Sequence, residues 1–290
     1  MFKGCGTAII TPFTKDGQID EAGLRELVDF QEAGGVDAIV PCGTTGESAT
    51  LNFEEHVKVI EIVIDQVKKA KVIAGTGSNS THEAVELSRA AEDLGADFLL
   101  SISPYYNKPT RKGLVQHFST IAETVDVPII VYNVPSRTGV NLPASTTLEL
   151  SDIYGIVGIK EASGNIVQVM EIIEGAREDF SVLSGDDSMT FPMMAAGAKG
   201  VISVASNIVP EKVCAMVHRL LEGDLEGARE LNYRLLRLFK HLFLETNPIP
   251  VKTSLRLMGK PSGSFRSPMC DMEDENLKIL KGTLADLGLI

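Results

Sequence analysis

Short apolar runs bounded by glycine, proline or asparagine recur along the chain, and between them apolar positions return every three or four residues. A short continuous apolar run is the mark of a strand covered on both faces, and the longer spacing marks an amphipathic helix. Read this way, strands are expected at 4–11, 37–42, 72–76, 97–103, 127–133, 155–163, 180–184 and 200–204. A helix is expected from about Asp20, with Leu24, Leu27 and Val28 on one face and Gly34-Gly35 as its stop. Asn52 to Glu55 has the spacing of a capping box, opening a helix that carries Val57, Ile60, Ile64 and Val67 inward. Ser80-Thr-His-Glu83 has the same signature. Another helix begins near Lys112. After about residue 210 the strand pattern ends; helices are expected at 213–221, 226–244 and 273–287, with Pro248 and Pro250 breaking the run. Eight strand–helix units at intervals of about 30 residues predict an α/β fold, a closed (β/α)8 TIM barrel. The expected core is 1–209, with the last barrel helix running to about 222, followed by a helical C-terminal extension over 223–290.

Composition narrows the function. A chain of 290 residues holds one barrel of about 250 residues plus an extension. The net charge of −12, with no lysine–arginine cluster, argues against nucleic-acid partners. No stretch reaches the roughly 20 apolar residues of a membrane span, and Met1-Phe2-Lys3-Gly4 runs straight into a strand without a signal-peptide pattern, so a cytoplasmic protein is expected. Cys5, Cys42, Cys214 and Cys270 form no CxxC pair and read as small buried hydrophobes. His56, His82, His117, His218 and His241 fall in helical segments without metal-ligand spacing, so no metal is expected. Neither GxGxxG after a strand nor GxxxxGK[ST] occurs, so no nucleotide cofactor is expected either.

One residue breaks the apolar pattern. Lys160 lies in the sixth strand, within Gly155-Ile-Val-Gly-Ile-Lys160-Glu-Ala-Ser163. An ammonium among apolar neighbours loses hydration, its pKa falls, and the free amine becomes a nucleophile for carbonyl groups. Barrel active sites gather at the carboxyl ends of the strands. Those ends supply Thr44-Thr45, Tyr105-Tyr106, Tyr132, Lys160, Gly185-Asp186 and Ser203. A positioned phenol can move protons during imine chemistry. The glycine-flanked Gly43-Thr44-Thr45-Gly46 turn offers backbone N–H groups to an anion, and Arg137 is a second anion hook. Schiff-base chemistry on a small keto acid, with a second anionic reactant, is the expected reaction class.

GTAIITPF, GTTGES, AGTGSN, SPYYNKP, YNVPSRTG, GIKEASG, LSGDD, GVISV and NPIPVK extend over nearly the whole chain. With them it resembles the dihydrodipicolinate synthase (4-hydroxy-tetrahydrodipicolinate synthase) family of the N-acetylneuraminate lyase superfamily. The resemblance implies a lyase of lysine and diaminopimelate biosynthesis that condenses pyruvate with L-aspartate 4-semialdehyde and needs no cofactor beyond the covalent Schiff base on Lys160. Tyr132 would move protons, with Thr44 and Tyr106 as a hydroxyl relay, Tyr106 completing the site of an adjacent subunit. Thr44 and Thr45 would hold the pyruvate carboxylate and Arg137 the semialdehyde, while Gly185 and Ile202 would line the pocket with backbone. A homotetramer built as a dimer of dimers is implied. So is a regulatory lysine site at Ser48, Ala49, His56, Asn79, Glu83 and Tyr105; Phe53 departs from the pattern, standing where lysine-sensitive bacterial members often carry histidine. The competing readings are an N-acetylneuraminate lyase or 2-keto-3-deoxy-sugar-acid aldolase, neither needing Arg137 in its SRTG context, and a non-catalytic sensor of keto or amino acids.

Overall fold

The computed structural model describes residues 1–290. Its eight strands are β1 (Gly4–Ala8), β2 (Ala38–Val40), β3 (Lys71–Gly75), β4 (Phe98–Ile102), β5 (Ile129–Asn133), β6 (Ile156–Glu161), β7 (Ser181–Ser184) and β8 (Gly200–Ser203). They are parallel, each bonded to the next in sequence order, and β8 pairs with β1 to close the barrel. Around them run α1 (Glu21–Ala33), α2 (Phe53–Gln66), α3 (Thr81–Leu94), α4 (Arg111–Ala122), the single turn α5 (Pro135–Thr138), α6 (Ala144–Ser151), α7 (Ile166–Gly175), α8 (Asp187–Ala195) and α9 (Pro210–Leu221). Three further helices follow: α10 (Leu225–His241), which packs on α8 and α9, α11 (Ile249–Leu257) and α12 (Asp274–Asp286).

The sequence signals act locally as the physics requires, with instructive exceptions. The Asp20 carboxylate accepts from Gly23 N at 3.0 Å and starts α1. Asn52 Oδ1 accepts from Glu55 N at 2.8 Å while Glu55 Oε2 accepts from Asn52 N at 3.1 Å, a complete capping box. The fully buried stripe of α2 is His56, Val59, Ile60, Ile62 and Val63 rather than one centred on Val57 and Ile64, because α1 and α3 cover its two flanks. The box expected at Ser80 is only half made. Ser80 Oγ accepts from Glu83 N, but Ser80 N already donates to Ser78 Oγ at 3.1 Å, so the Glu83 carboxylate has no donor there and bonds Ser78 Oγ instead. The helical run is interrupted after His241, as expected at Pro248 and Pro250, but these prolines also open α11, a helix the sequence reading did not include, where the first turn's N–H groups lack partners in any case. Cys5, Cys42 and Cys214 are buried, whereas Cys270 is exposed in the connection between α11 and α12.

Two apolar layers fill the molecule. Ala38, Val40, Ile73, Leu100, Ile130, Leu183 and Ile202 pack inside the barrel, while their strand neighbours Ile39, Val72, Leu99, Val131, Val182 and Val201 face the helices. β6 departs from strict alternation. Its register with β5 runs Ile129↔Ile156 and then Ile130↔Gly158, so Val157 is an extra residue. Because side chains alternate with a period of two, one extra residue inverts the faces of everything after it. Ile159 therefore joins the outer layer and Lys160 turns inward, directly beside Tyr132 in the register. Glycine is required at 158: a Cβ there would lie 2.6 Å from the Ser181 carbonyl oxygen.

Candidate active site

Inside the barrel mouth, Lys160 Nζ lies 4.3 Å from the centre of the Tyr132 ring. Both residues are buried, at 6% and 7% exposure. Burial pulls the Lys160 ammonium down to about 8, against the opposing field of Asp187 and with that of Arg137. Burial likewise pushes the Tyr132 phenol up to about 12, although Arg137 and a hydrogen bond with Thr44 work to lower it. The pair thus consists of an amine that loses its proton far more readily than an exposed lysine and a phenol that keeps its proton. That is the equipment for imine formation, in which an amine attacks a carbonyl and a neighbouring acid supplies protons to the departing oxygen.

Thr44, Tyr132, Arg137 and Lys160 line one cavity of about 340 Å³. Arg137 comes from α5 and is oriented by its Nη2, which donates to the Asn247 carbonyl at 3.1 Å. Thr45 is buried, and its hydroxyl accepts from Asn247 Nδ2 at 2.9 Å rather than lining the cavity. Gly185 lies against the Lys160 side chain: a Cβ would approach Lys160 Cε to 3.0 Å and Ala162 Cβ to 2.8 Å. Ile202 is fully buried in the inner apolar layer and, like Gly185, does not line the cavity. Tyr106 is not brought to the site within one chain; it is 89% exposed, on a backbone with φ +68°. Ser203 is also turned away, its hydroxyl donating to the Asp187 carboxylate.

The residues grouped as a regulatory set fall largely on the same cavity, which Ser48, Ala49, His56, Glu83 and Tyr105 also line, together with Phe53. Asn79 lies outside the lining and donates to the Tyr105 carbonyl at 3.2 Å. His56 Nε2 sits 2.6 Å from the Gly75 carbonyl, and burial lowers its pKa, so the neutral ring donates there. Glu83, freed from the capping box, lines the cavity as a carboxylate, as does Glu47.

Several residues that shape the site were not visible to a reading of strand ends. Asn247 reaches both Thr45 and Arg137 from the segment read as a helix break. Asp187, the second aspartate of LSGDD, begins α8 and accepts from Val204 N at 3.0 Å and Ala205 N at 2.9 Å. Glu47 and Lys252 form a buried ion pair at 2.6 Å, with side chains 2% and 0% exposed. Both residues fall in quoted motifs, GTTGES and NPIPVK, but nothing in either motif pairs them across 205 residues.

Comparison with known proteins places the chain in a family. The profile of the Dihydrodipicolinate synthetase family matches residues 1–287. The chain is 55% identical over 292 residues to the 4-hydroxy-tetrahydrodipicolinate synthase of Methanocaldococcus jannaschii, covering 100% of both chains. Its fold superposes with a TM-score of 0.97 on the chloride-inhibited dihydrodipicolinate synthase of Acinetobacter baumannii complexed with pyruvate, 43% identical and covering 100% of both chains. The dihydrodipicolinate synthase of Cyanidioschyzon merolae with lysine bound also gives a TM-score of 0.97, at 39% identity and with 100% and 99% coverage. With a closed parallel barrel, a buried lysine beside a tyrosine and full-length similarity, the chain belongs to the dihydrodipicolinate synthetase family.

Proposed function

We propose that this chain condenses pyruvate with L-aspartate 4-semialdehyde to 4-hydroxy-tetrahydrodipicolinate through a Schiff base on Lys160. The observation that carries the reading is the desolvated amine of Lys160, 4.3 Å from the Tyr132 ring and sharing a cavity with Arg137. The free amine attacks the keto carbon of pyruvate, and water leaves as the imine forms. Tyr132, with Thr44 beside it, carries protons to and from that centre. The imine draws electrons from the pyruvate methyl group, a proton leaves, and the resulting enamine carbon attacks the semialdehyde. The substrate's own amino group then attacks the imine carbon, closes the ring and releases Lys160. The Thr44–Thr45 turn holds the pyruvate carboxylate, and Arg137 holds that of the second substrate. Two fixed anions in one pocket supply orientation, which can contribute several kcal/mol of barrier lowering. Arg137 also favours this reading over the sugar-acid aldolases, whose acceptors need no such carboxylate hook.

The direct test couples pyruvate and aspartate semialdehyde to a downstream reductase and, separately, traps the pyruvate adduct with borohydride. Lys160→Ala should lose both turnover and trapping, and undiminished labelling of that variant would defeat the assignment.

Lysine regulation is a second reading, favoured by the shared cavity that carries Ser48, His56, Glu83 and Tyr105. The Glu83 carboxylate is a partner for an ammonium, while Phe53, 43% exposed, replaces a polar group at the rim. An assay in millimolar lysine should show a lowered rate; an unchanged rate removes this reading and leaves the synthase intact.

A further inference from the structure

Glu47 occupies an unusual place. It joins two 3-10 turns, Thr44–Gly46 and Ser48–Thr50, with φ 56° and ψ 35°, in the left-handed region that side chains disfavour. Such a backbone persists only where its surroundings hold it. The hold comes from the C-terminal extension. Lys252 Nζ on α11 donates to Glu47 Oε1 at 2.6 Å, to the Thr11 carbonyl at 3.0 Å and to the Ser264 carbonyl at 2.8 Å, so all its protons are used. The rings of Phe13 and Phe265 face the same ammonium at 4.7 Å and 5.1 Å. Glu47 Oε2 accepts from Arg266 N at 3.3 Å, and Thr11 Oγ1 donates to the Gly46 carbonyl at 2.7 Å. Five residues before Lys252, Asn247 engages Thr45 and Arg137.

We infer that Lys252 is a positioning residue: by fixing Glu47 it sets the Thr44–Thr45 turn that receives the pyruvate carboxylate, and through the same segment it keeps Arg137 aimed. The inference rests on the proposed reaction and extends it to a group that touches no substrate. The pair is one geometric unit with the turn, since neither partner can move without unseating the left-handed residue next to Gly46. A carboxylate cradle displaced by an ångström can cost on the order of a hundredfold in rate.

The test uses the full chain and three variants. Lys252→Met should raise the KM for pyruvate, read by borohydride trapping as well as turnover, about tenfold or more. Glu47→Gln, which keeps an acceptor for the amine, should hold pyruvate KM within about threefold of the parent. The double variant Glu47→Leu/Lys252→Met removes both charges, so its melting temperature should recover towards the parent while its pyruvate KM stays raised. A parent-like pyruvate KM in the double variant, or in a folded Lys252→Met, makes the pair merely structural and overturns the inference. Should Lys252→Met not fold, the double variant alone decides. Failure of the parent to be trapped by borohydride with pyruvate would strike the proposed reaction itself, a separate result.

Discussion

Burial of Lys160 has a cost that can be measured. The lysine titrates near 10.5 when exposed and near 8 in the fold, so between these values the unfolded chain binds the extra proton and stability rises with pH. Below about 8 the full penalty applies, on the order of 3 kcal/mol. Lys160→Met should therefore stabilise the protein at pH 7 by an amount of that order, with the gain shrinking as pH climbs towards 10.5, as denaturant titrations at both ends will show. In the parent, borohydride trapping at sub-saturating pyruvate should rise with pH through about 8, following the free amine. Tyr132→Phe removes the proton carrier but leaves the amine and should slow turnover ~100-fold or more, measured in the coupled assay. Lys160 stood out in the sequence because a charge in an apolar strand is conspicuous, and Tyr132 followed because it ends the preceding strand. Asp187 and Asn247 did not, because a carboxylate capped by backbone N–H groups and an amide bridging two loops become recognisable only once distant segments meet.

At the level of elements, the strands and most helices were legible because their signals are local. The capping box at Asn52 is a case: Asn52→Ala should lower stability by ~1 kcal/mol in urea unfolding, through the lost bond to Glu55 N. Where reading failed, a competing local partner or a later helix had intervened. Ser78 took the donor that Glu83 needed, and two prolines that mark a break in the helical run also start α11, a further helix. The β6 irregularity was equally hidden, since GIVGIKE shows no mark of an extra residue beyond its glycines. Gly158→Ala would set a methyl 2.6 Å from the Ser181 carbonyl and should destabilise the chain by ~1–3 kcal/mol in the same assay.

For the whole molecule, the barrel supplies the site and the chain beyond α10 holds its rim in place, through Lys252 on α11 and through Asn247 and Arg266 in the connections on either side of it. Arg266 alone ties the Gly17 and Thr50 carbonyls to Glu55. No helix is long and apolar enough to cross a membrane. Tyr106 at 89% exposure and Tyr154 at 92% leave large rings open on a single chain, a surface that the homotetramer implied by the family resemblance would cover. If Tyr106 completes a neighbour's site, Tyr106→Phe and Lys160→Ala subunits should each be impaired alone. Mixed dimers would then regain one intact site apiece, so unfolding and refolding the two variants together should yield activity above their sum.

The extra residue at Val157 gives the chemistry an odd vulnerability. Every reactive group could be retained, and every contact around the cavity kept in type, while excision of that one valine reversed the parity of the strand. The amine would then point into the hydrocarbon between strand and helices, where it meets no keto acid. In this barrel the nucleophile is chosen by counting as much as by chemical identity.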